Sequence, residues 1–394
     1  MKVAVNIHCL HPPLTGIGHY ARHLLQAMLD DERVESVVGV SHAGWHDQQE
    51  VADIVSHARG YQPQQGSNPG HQNRTLALGK RLLRRVPGVG RLRARINYTL
   101  QQRHTRQFDD FVYWEPNYLL LPLGNRALTT VHDISHVRYP EFHPPERLRE
   151  LQQLPRSLQQ ARRVATVSEF TRSELVDVFD LKPDDIAVIP PAVSSRFRPH
   201  TDVEIEDARR RYQLSDSYIL FAGTVEPRKN LPLLLQAYSA LPPQLQLQHK
   251  LVLVGSDGWH PQEFEATLAS LNNSNILRLG YVGFEDLPAI FSAATLFAYP
   301  SLYEGFGMPL LEAMASGTPV VTSNVASMPE VAGGAALLVD PRSADDLTQQ
   351  LQLLLEDPQR CESMSEQGLA VAHTRSWERS YQDLYAALAQ VAST

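Results

Sequence analysis

The chain has 394 residues, enough for two or three domains. Hydrophobic residues make up 43% of it and charged residues 20%, which allows a full core and excludes global disorder. Its 36 Lys and Arg against 43 Asp and Glu give a net charge of -7, which argues against a dedicated nucleic-acid binder. Cys9 and Cys361, far apart in sequence, exclude a disulfide framework and a cysteine-based zinc site.

The chain starts with Met1-Lys2-Val3-Ala4-Val5-Asn6-Ile7-His8, too short an apolar run to span a membrane and without a signal-peptide cleavage region. The expectation is a soluble, cytoplasmic protein. In chain order, short β-branched runs predict buried strands at Lys2–Ile7, Val37–Val40, Phe111–Trp114, Leu128–His132, Val164–Ser168 and Ile186–Ile189. A second set follows at Tyr218–Ala222, Leu251–Val254, Ile276–Leu279, Leu296–Tyr299, Val320–Thr322 and Ala336–Val339. Amphipathic segments such as Tyr20–Leu29, Leu231–Ala240 and Leu347–Leu355 lie between them. Alternating strands and helices imply parallel sheets covered on both faces. Pro190 to Leu214, with three prolines and then a polar helix, reads as a linker between two doubly wound α/β domains of similar size. Ligands in such sheets sit at the carboxyl ends of the strands, so a cleft between two facing domains is expected to hold the substrate.

Four segments could carry chemistry. Thr15-Gly16-Ile17-Gly18-His19-Tyr20-Ala21 fits G-x-G-x-x-A before a helix, with Glu35 at the distance of a ribose-binding acid. A dinucleotide turn is tight, whereas His8 to Leu14 intervene here, so an ordinary glycine turn stays open beside an anion-binding one. Gly223-Thr224-Val225-Glu226-Pro227-Arg228-Lys229-Asn230 places two cations just before a helix, which suits a diphosphate or a solvated basic turn. In Glu304-Gly305-Phe306-Gly307-Met308-Pro309-Leu310-Leu311-Glu312 the glycines free backbone amides to face a ligand, and Pro309 suits a first helical turn. A helical carboxylate such as Glu312 can accept from two neighbouring sugar hydroxyls. Thr130-Val131-His132-Asp133 ends a strand, where His132 can donate to a sugar hydroxyl and Asp133 can orient it; a structural histidine is the alternative. His136 and His143 lie nearby without zinc-ligand spacing. No Asp-x-Asp, Gly-x-Ser-x-Gly or Gly-x-x-x-x-Gly-Lys-Ser/Thr motif occurs, and a metal cofactor is not expected.

With these segments in place, the chain resembles the retaining glycosyltransferases of the GT-B fold, specifically family 4, over nearly its whole length. Glu304 through Glu312 is similar to that family's E-x7-E signature, and Gly223 through Asn230 to its phosphate loop. Thr15 to Gly18, His132-Asp133, Val167-Ser168-Glu169-Phe170 and Ser376-Trp377 also match. The resemblance implies an α/β fold of two Rossmann-like domains facing a central cleft. The acceptor-side domain would be 1–198, the nucleotide-sugar domain 199–375, and 376–394 a helix crossing back to the first. It implies that Arg228 and Lys229 bind the donor diphosphate and that Glu312 holds the ribose. Glu304, within the Gly305 loop, and the amides of Phe306, Gly307 and Met308 would hold the donor sugar. Gly16, Gly18 and Gly223 would lie at the phosphates, with His132 and Asp133 beside the sugar. Many relatives carry Gly-Arg where this chain has Gly223-Thr224, and Arg228 would supply the missing cation.

The implied reaction is metal-independent, same-face transfer of a hexosyl group, mannose or a related deoxyhexose from a GDP-sugar. The acceptor would be a glycan or a lipid-linked acceptor of bacterial surface polysaccharide. The alternatives are a nucleotide-sugar epimerase or phosphorylase of the same fold, an NAD-dependent oxidoreductase built on Gly16-x-Gly18, and a protein that only binds. The net charge hides an asymmetry. Residues 74–106 hold ten Lys and Arg and no Asp or Glu, leaving 26 basic against 43 acidic residues elsewhere. Leu76, Leu78, Leu82, Leu83, Val86, Val89 and Leu92 alternate with those cations. Such a segment fits either a solvated helix face or peripheral contact with anionic lipid on the inner face of the cytoplasmic membrane.

Overall fold

The computed structural model describes residues 1–11, 14–41, 44–57, 110–123, 126–259, 261–271 and 274–393. The basic segment 74–106 therefore lies outside the described residues. Among those residues no helix is long and apolar enough to cross a membrane.

The first seven strands form one sheet: β1 (Lys2–Asn6), β2 (Ser36–Ser41), β3 (Gly44–His46), β4 (Val112–Glu115), β5 (Ala127–Val131), β6 (Arg163–Thr166) and β7 (Ile186–Val188). Their spatial order is β3-β2-β1-β4-β5-β6-β7. The next six form a second: β8 (Tyr218–Ala222), β9 (Lys250–Val254), β10 (Ile276–Gly280), β11 (Leu296–Tyr299), β12 (Val320–Ser323) and β13 (Ala336–Val339). Their order is β10-β9-β8-β11-β12-β13. Each sheet starts in its middle and winds outward in both directions, the doubly wound arrangement with a switch point beside the first strand. β1 pairs in parallel with β2 and β4 through Val3↔Val37 and Val3↔Val112. β8 does the same with β9 and β11 through Phe221↔Leu253 and Leu220↔Phe297.

The central strands form where expected because they are buried along their length, and the sequence shows an unbroken apolar run there, whereas β10 and β13 are partly exposed. All five residues of β8 and all four of β11 are buried. Each buried Leu, Ile or Phe among them contributes about 1.5–3 kcal/mol by leaving water. One strand, β3, was not expected. It runs antiparallel along β2, pairing Gly39↔His46 and Ser41↔Gly44. Three residues at a sheet edge, one of them glycine, leave no apolar run to read.

By compactness the chain divides into two units. One comprises Met1–Thr130, Leu154–Val164 and Leu384–Thr394; the other comprises Val131–Gln153 and Ala165–Asp383. In the first, Trp114 is fully buried and its indole donates to Thr130 Oγ1 at 3.1 Å. The Tyr385 ring of the terminal helix Trp377–Ala392 lies 4.1 Å under the Arg33 guanidinium. In the second, Phe221, Tyr299 and Phe297 stack along the middle of the sheet with centroids 6.0 and 5.5 Å apart. The polar helix Asp202–Tyr212 begins at a capping box. Thr201 N donates to Glu204 Oε2 at 2.9 Å, and Glu204 N donates to Thr201 Oγ1 at 3.4 Å.

Candidate active site

Two loops at the carboxyl ends of β8 and β11 build the site, both in the second unit. After β8 the chain turns through Pro227–Lys229 to Asn230, which adopts φ 58° ahead of the helix Leu231–Ala240. The Asn230 amide ties the turn down by donating to Pro300 O at 3.1 Å and Pro341 O at 2.7 Å. After β11 the chain runs through Pro300 to Gly307, whose φ of 95° opens the helix Met308–Ala315. A side chain at that φ would be strained, which accounts for the glycine.

These loops bring three sequence-predicted charges together. Arg228 Nη1 donates to Glu304 Oε2 at 2.5 Å and Lys229 Nζ to Glu304 Oε1 at 2.6 Å. Arg228 Nη2 pairs with Glu226 Oε1 at 2.6 Å. The Tyr299 hydroxyl donates to Glu304 Oε1 at 2.9 Å and accepts from Lys229. Lys229, Glu304 and Glu226 are all buried. Burial alone would raise the Glu304 carboxyl, but Arg228 and Lys229 prevail and hold it at about 2. Lys229 is pulled below the usual lysine range by burial and by Arg228, with Glu304 opposing. Burial pushes Glu226 up, with Arg228 opposing.

His132 and Asp133, at the end of β5, meet the glycine loop. A Cβ on Gly305 would overlap the His132 carbonyl oxygen and lie 2.8 Å from the Asp133 Cβ, so only glycine fits. Asp133 Oδ1 accepts from Ser135 N at 3.0 Å and Ser135 Oγ at 2.8 Å. Burial works to raise Asp133, but Arg228 and the Ser135 bonds bring it below the ordinary carboxylate range. His143 Nε2 bonds to Ser135 Oγ at 2.9 Å and extends the chain from Asp133.

The same loop is fixed by residues to which the sequence assigned no role. Ser168 caps the helix Glu169–Phe179, and its hydroxyl lies 2.6 Å from the Gly305 carbonyl, with Thr171 Oγ1 at 3.2 Å from it. Ser327 Oγ bonds to the carbonyls of Glu304 and Phe306, both at 2.9 Å. The Tyr303 hydroxyl donates to Glu174 and accepts from Ile134 N at 3.2 Å. The Arg375 guanidinium lies 5.2 Å from the Phe306 ring. The S-x-x-T capping pattern of Ser168 and Thr171 was a readable signal; Tyr299 and Tyr303 had none.

Glu312 stands apart from this cluster, in the helix that the glycine loop opens. It is partly exposed, and among the described residues its carboxylate has no hydrogen-bond or ion-pair partner. Loss of water around it raises the carboxyl to about 7. A Cβ on Gly223 would sit 3.7 Å from Lys229 Cε, so that glycine lies beside the cations. Gly16 and Gly18 lie in the first unit, at the start of the helix Gly16–Leu29 after an extended Thr15. A Cβ on Gly18 would come 2.6 Å from Cys9 O, so packing requires that glycine, whereas Gly16 faces open space. Among the described residues no group of three or more His, Cys, Asp or Glu is placed to hold a metal ion.

Chemically, two adjacent cations at a helix start can take a doubly charged phosphate group, and an unpartnered carboxylate one loop away can accept from hydroxyls.

The family model described as "Glycosyltransferase Family 4" matches residues 14–197, and that described as "Glycosyl transferases group 1" matches residues 202–371. Over 381 residues, 96% of this chain and 97% of the relative, the sequence is 37% identical to O-antigen chain mannosyltransferase B of Escherichia coli. It is 31% identical over 221 residues, 54% of this chain, to the serotype-specific mannosyltransferase WbdA of Escherichia coli, of whose length it covers 27%. Among solved structures, the Anabaena protein HepE in complex with UDP and glucose superposes with a TM-score of 0.71 at 18% identity, covering 99% of this chain and 100% of that one. WaaG, a glycosyltransferase involved in lipopolysaccharide biosynthesis, superposes with a TM-score of 0.66 at 15% identity over 98% of each chain. The architecture shared with them is GT-B, two Rossmann-like parallel-sheet domains.

Proposed function

The chain belongs to glycosyltransferase family 4, and from that premise we propose that it is a retaining, metal-independent mannosyltransferase of bacterial surface polysaccharide synthesis, working from a GDP-sugar. The observation that carries this reading is the Arg228–Glu304–Lys229 cluster at the start of a helix, in a chain 37% identical along its whole length to an O-antigen mannosyltransferase. The relatives' names support mannose as the sugar and a growing glycan as the acceptor.

The site residues divide the work as follows. Arg228 and Lys229 take the donor diphosphate beside Gly223. Glu312, whose carboxylate has no partner among the described residues and is partly exposed, accepts from the two ribose hydroxyls. Glu304 and the amides of Phe306, Gly307 and Met308 hold the sugar, with His132 and Asp133 beside it. The bond from the anomeric carbon to the diphosphate oxygen breaks, and the acceptor oxygen bonds to that carbon on the same face. The acceptor's proton passes to the departing diphosphate. The two cations stabilise the charge growing there, which leaves a divalent metal no separate task. The ten cations of residues 74–106 and their interleaved Leu and Val side chains support peripheral contact with anionic lipid, where a lipid-linked acceptor resides.

The test is to incubate the purified chain with GDP-mannose, GDP-fucose, UDP-glucose and dTDP-rhamnose and a bacterial lipid extract, and to read the product anomer by NMR. Transfer from GDP-mannose to give an α-linked product, unchanged by EDTA, is expected. Use of UDP-sugars alone, an inverted product, or loss of transfer to EDTA that a divalent cation restores would overturn the corresponding part. Liposomes containing anionic lipid should retain the protein at low salt; failure to do so removes the membrane contact.

A further inference from the structure

The donor site contains one carboxylate too many for an anionic ligand. Arg228 and Lys229 are its cations. Facing them are Glu304 from the glycine loop, Glu226 from their own turn, and Asp133 from the end of β5. Three negative charges oppose two positive ones before any ligand arrives. A diphosphate diester brings two more negative charges to the same cations.

The three carboxylates are not equally committed. Glu304 holds Arg228, Lys229 and the Tyr299 hydroxyl. Asp133 is held by the amide and hydroxyl of Ser135 and faces His136, His143 and Arg228. Both stay ionised well below neutral pH. Glu226 is buried, 5% exposed, and among the described residues its one ion-pair partner is Arg228 Nη2 at 2.6 Å. The other charges around it are Lys229, Glu304 and Asp133. If phosphate oxygens take the Arg228 fork, Glu226 loses the group that keeps it ionised and cannot recover water in its place.

We infer that Glu226 balances the charge of the donor site: it takes up a proton from solvent when a nucleotide-sugar diphosphate occupies Arg228 and Lys229, and releases it when the nucleotide leaves. Glu226 thus acts on the donor through Arg228, as a charge-compensating and positioning residue. The inference rests on the diphosphate-binding reading proposed above. Its consequence is that donor affinity falls as pH rises through the window in which the free protein has lost, and the complex still holds, that proton.

The test is calorimetric titration of GDP-mannose, and in parallel UDP-glucose, into the full chain in two buffers of different ionisation enthalpy, repeated from pH 6 to 8.5 (about the range in which the doubly esterified diphosphate itself does not titrate). Uptake approaching one proton per site is expected, with affinity falling by up to about tenfold per pH unit inside the window. Glu226→Gln should bind with no uptake and with a flat pH profile, and several-fold more tightly than the wild type at pH 8. Donor binding by the wild type without proton uptake overturns the inference alone, whether or not the variant folds. Uptake that persists in Glu226→Gln does the same. Absence of binding by both nucleotide sugars removes the donor reading and this inference with it.

Discussion

Gly305 and His132 approach each other so closely that a Cβ on the glycine would overlap the histidine's carbonyl oxygen. The contact joins the end of β5 to the loop that carries Glu304. The loop has no slack on its other side either, because the Gly305 carbonyl is held by Ser168 and Thr171. Position 305 is therefore where the strand end, the capped helix and the charged cluster are locked together.

Gly305→Ala should displace this loop. The added methyl meets backbone rather than a flexible side chain, so relief requires the loop or the strand end to move, at about 1–3 kcal/mol of stability. Transfer should fall by about 100-fold or more, since misplacing reacting groups by an ångström has that effect. Thermal unfolding and steady-state rates measure both. An alanine variant with unchanged melting and unchanged rate contradicts the tight fit.

Acid stability reports on Glu304. Its carboxyl titrates at about 2 in the folded chain, against an ordinary 4.5. A depressed folded value adds stability above the unfolded pKa, and that stability is lost as pH falls from about 4.5 to about 2. The size is about 3 kcal/mol, from about 1.4 kcal/mol per unit. Denaturant unfolding between pH 5 and pH 2 should therefore show a steeper acid limb for the wild type than for Glu304→Gln. Parallel limbs would mean that Arg228 and Lys229 do not hold this carboxylate.

Glu115 should act in the opposite direction. It ends β4 fully buried, accepting from Asn6 Nδ2 at 2.8 Å, the Tyr113 hydroxyl at 2.5 Å and Asn117 N at 3.1 Å. Burial outweighs those bonds and raises it to about 8. The folded chain keeps this proton up to that pH, whereas the unfolded chain loses it near 4.5, so unfolding releases a proton in between. Stability contributed here falls as pH rises from about 4.5 to about 8, by up to about 5 kcal/mol, and then levels off. Glu115→Gln should remove the slope, gaining on the wild type as pH rises from 5 to 8 in urea titrations. A constant difference between the two proteins would contradict the raised value.

The sequence was most legible where burial is complete. Tyr218–Ala222 and Leu296–Tyr299 were expected as strands and form over those same residues, because a strand covered on both faces must be apolar throughout. The edge strand Gly44–His46 carries no such signature. In the site, Arg228, Lys229 and Glu304 were legible from spacing to a glycine turn and a helix start, whereas Glu312, singled out with them, stands apart from their cluster. Tyr299 was hidden because it also satisfies the apolar pattern of its strand, and its hydroxyl role depends on where that strand ends. Tyr303 and Glu174 meet across 129 positions of sequence, a pairing that local pattern cannot supply. The part played by Glu226 depends on which nitrogen of Arg228 it holds, a matter of side-chain geometry rather than motif.

In the proposed function, Lys229 and Arg228 receive the donor diphosphate. Calorimetric titration of GDP-mannose into the wild type and Lys229→Ala, with turnover measured on the same preparations, tests it most directly. Saturable one-to-one binding by the wild type is expected, with affinity or turnover down by about 100-fold in the variant, the scale expected for removing a charged donor from a transition-state contact. Near-normal turnover together with unchanged affinity in Lys229→Ala would contradict it.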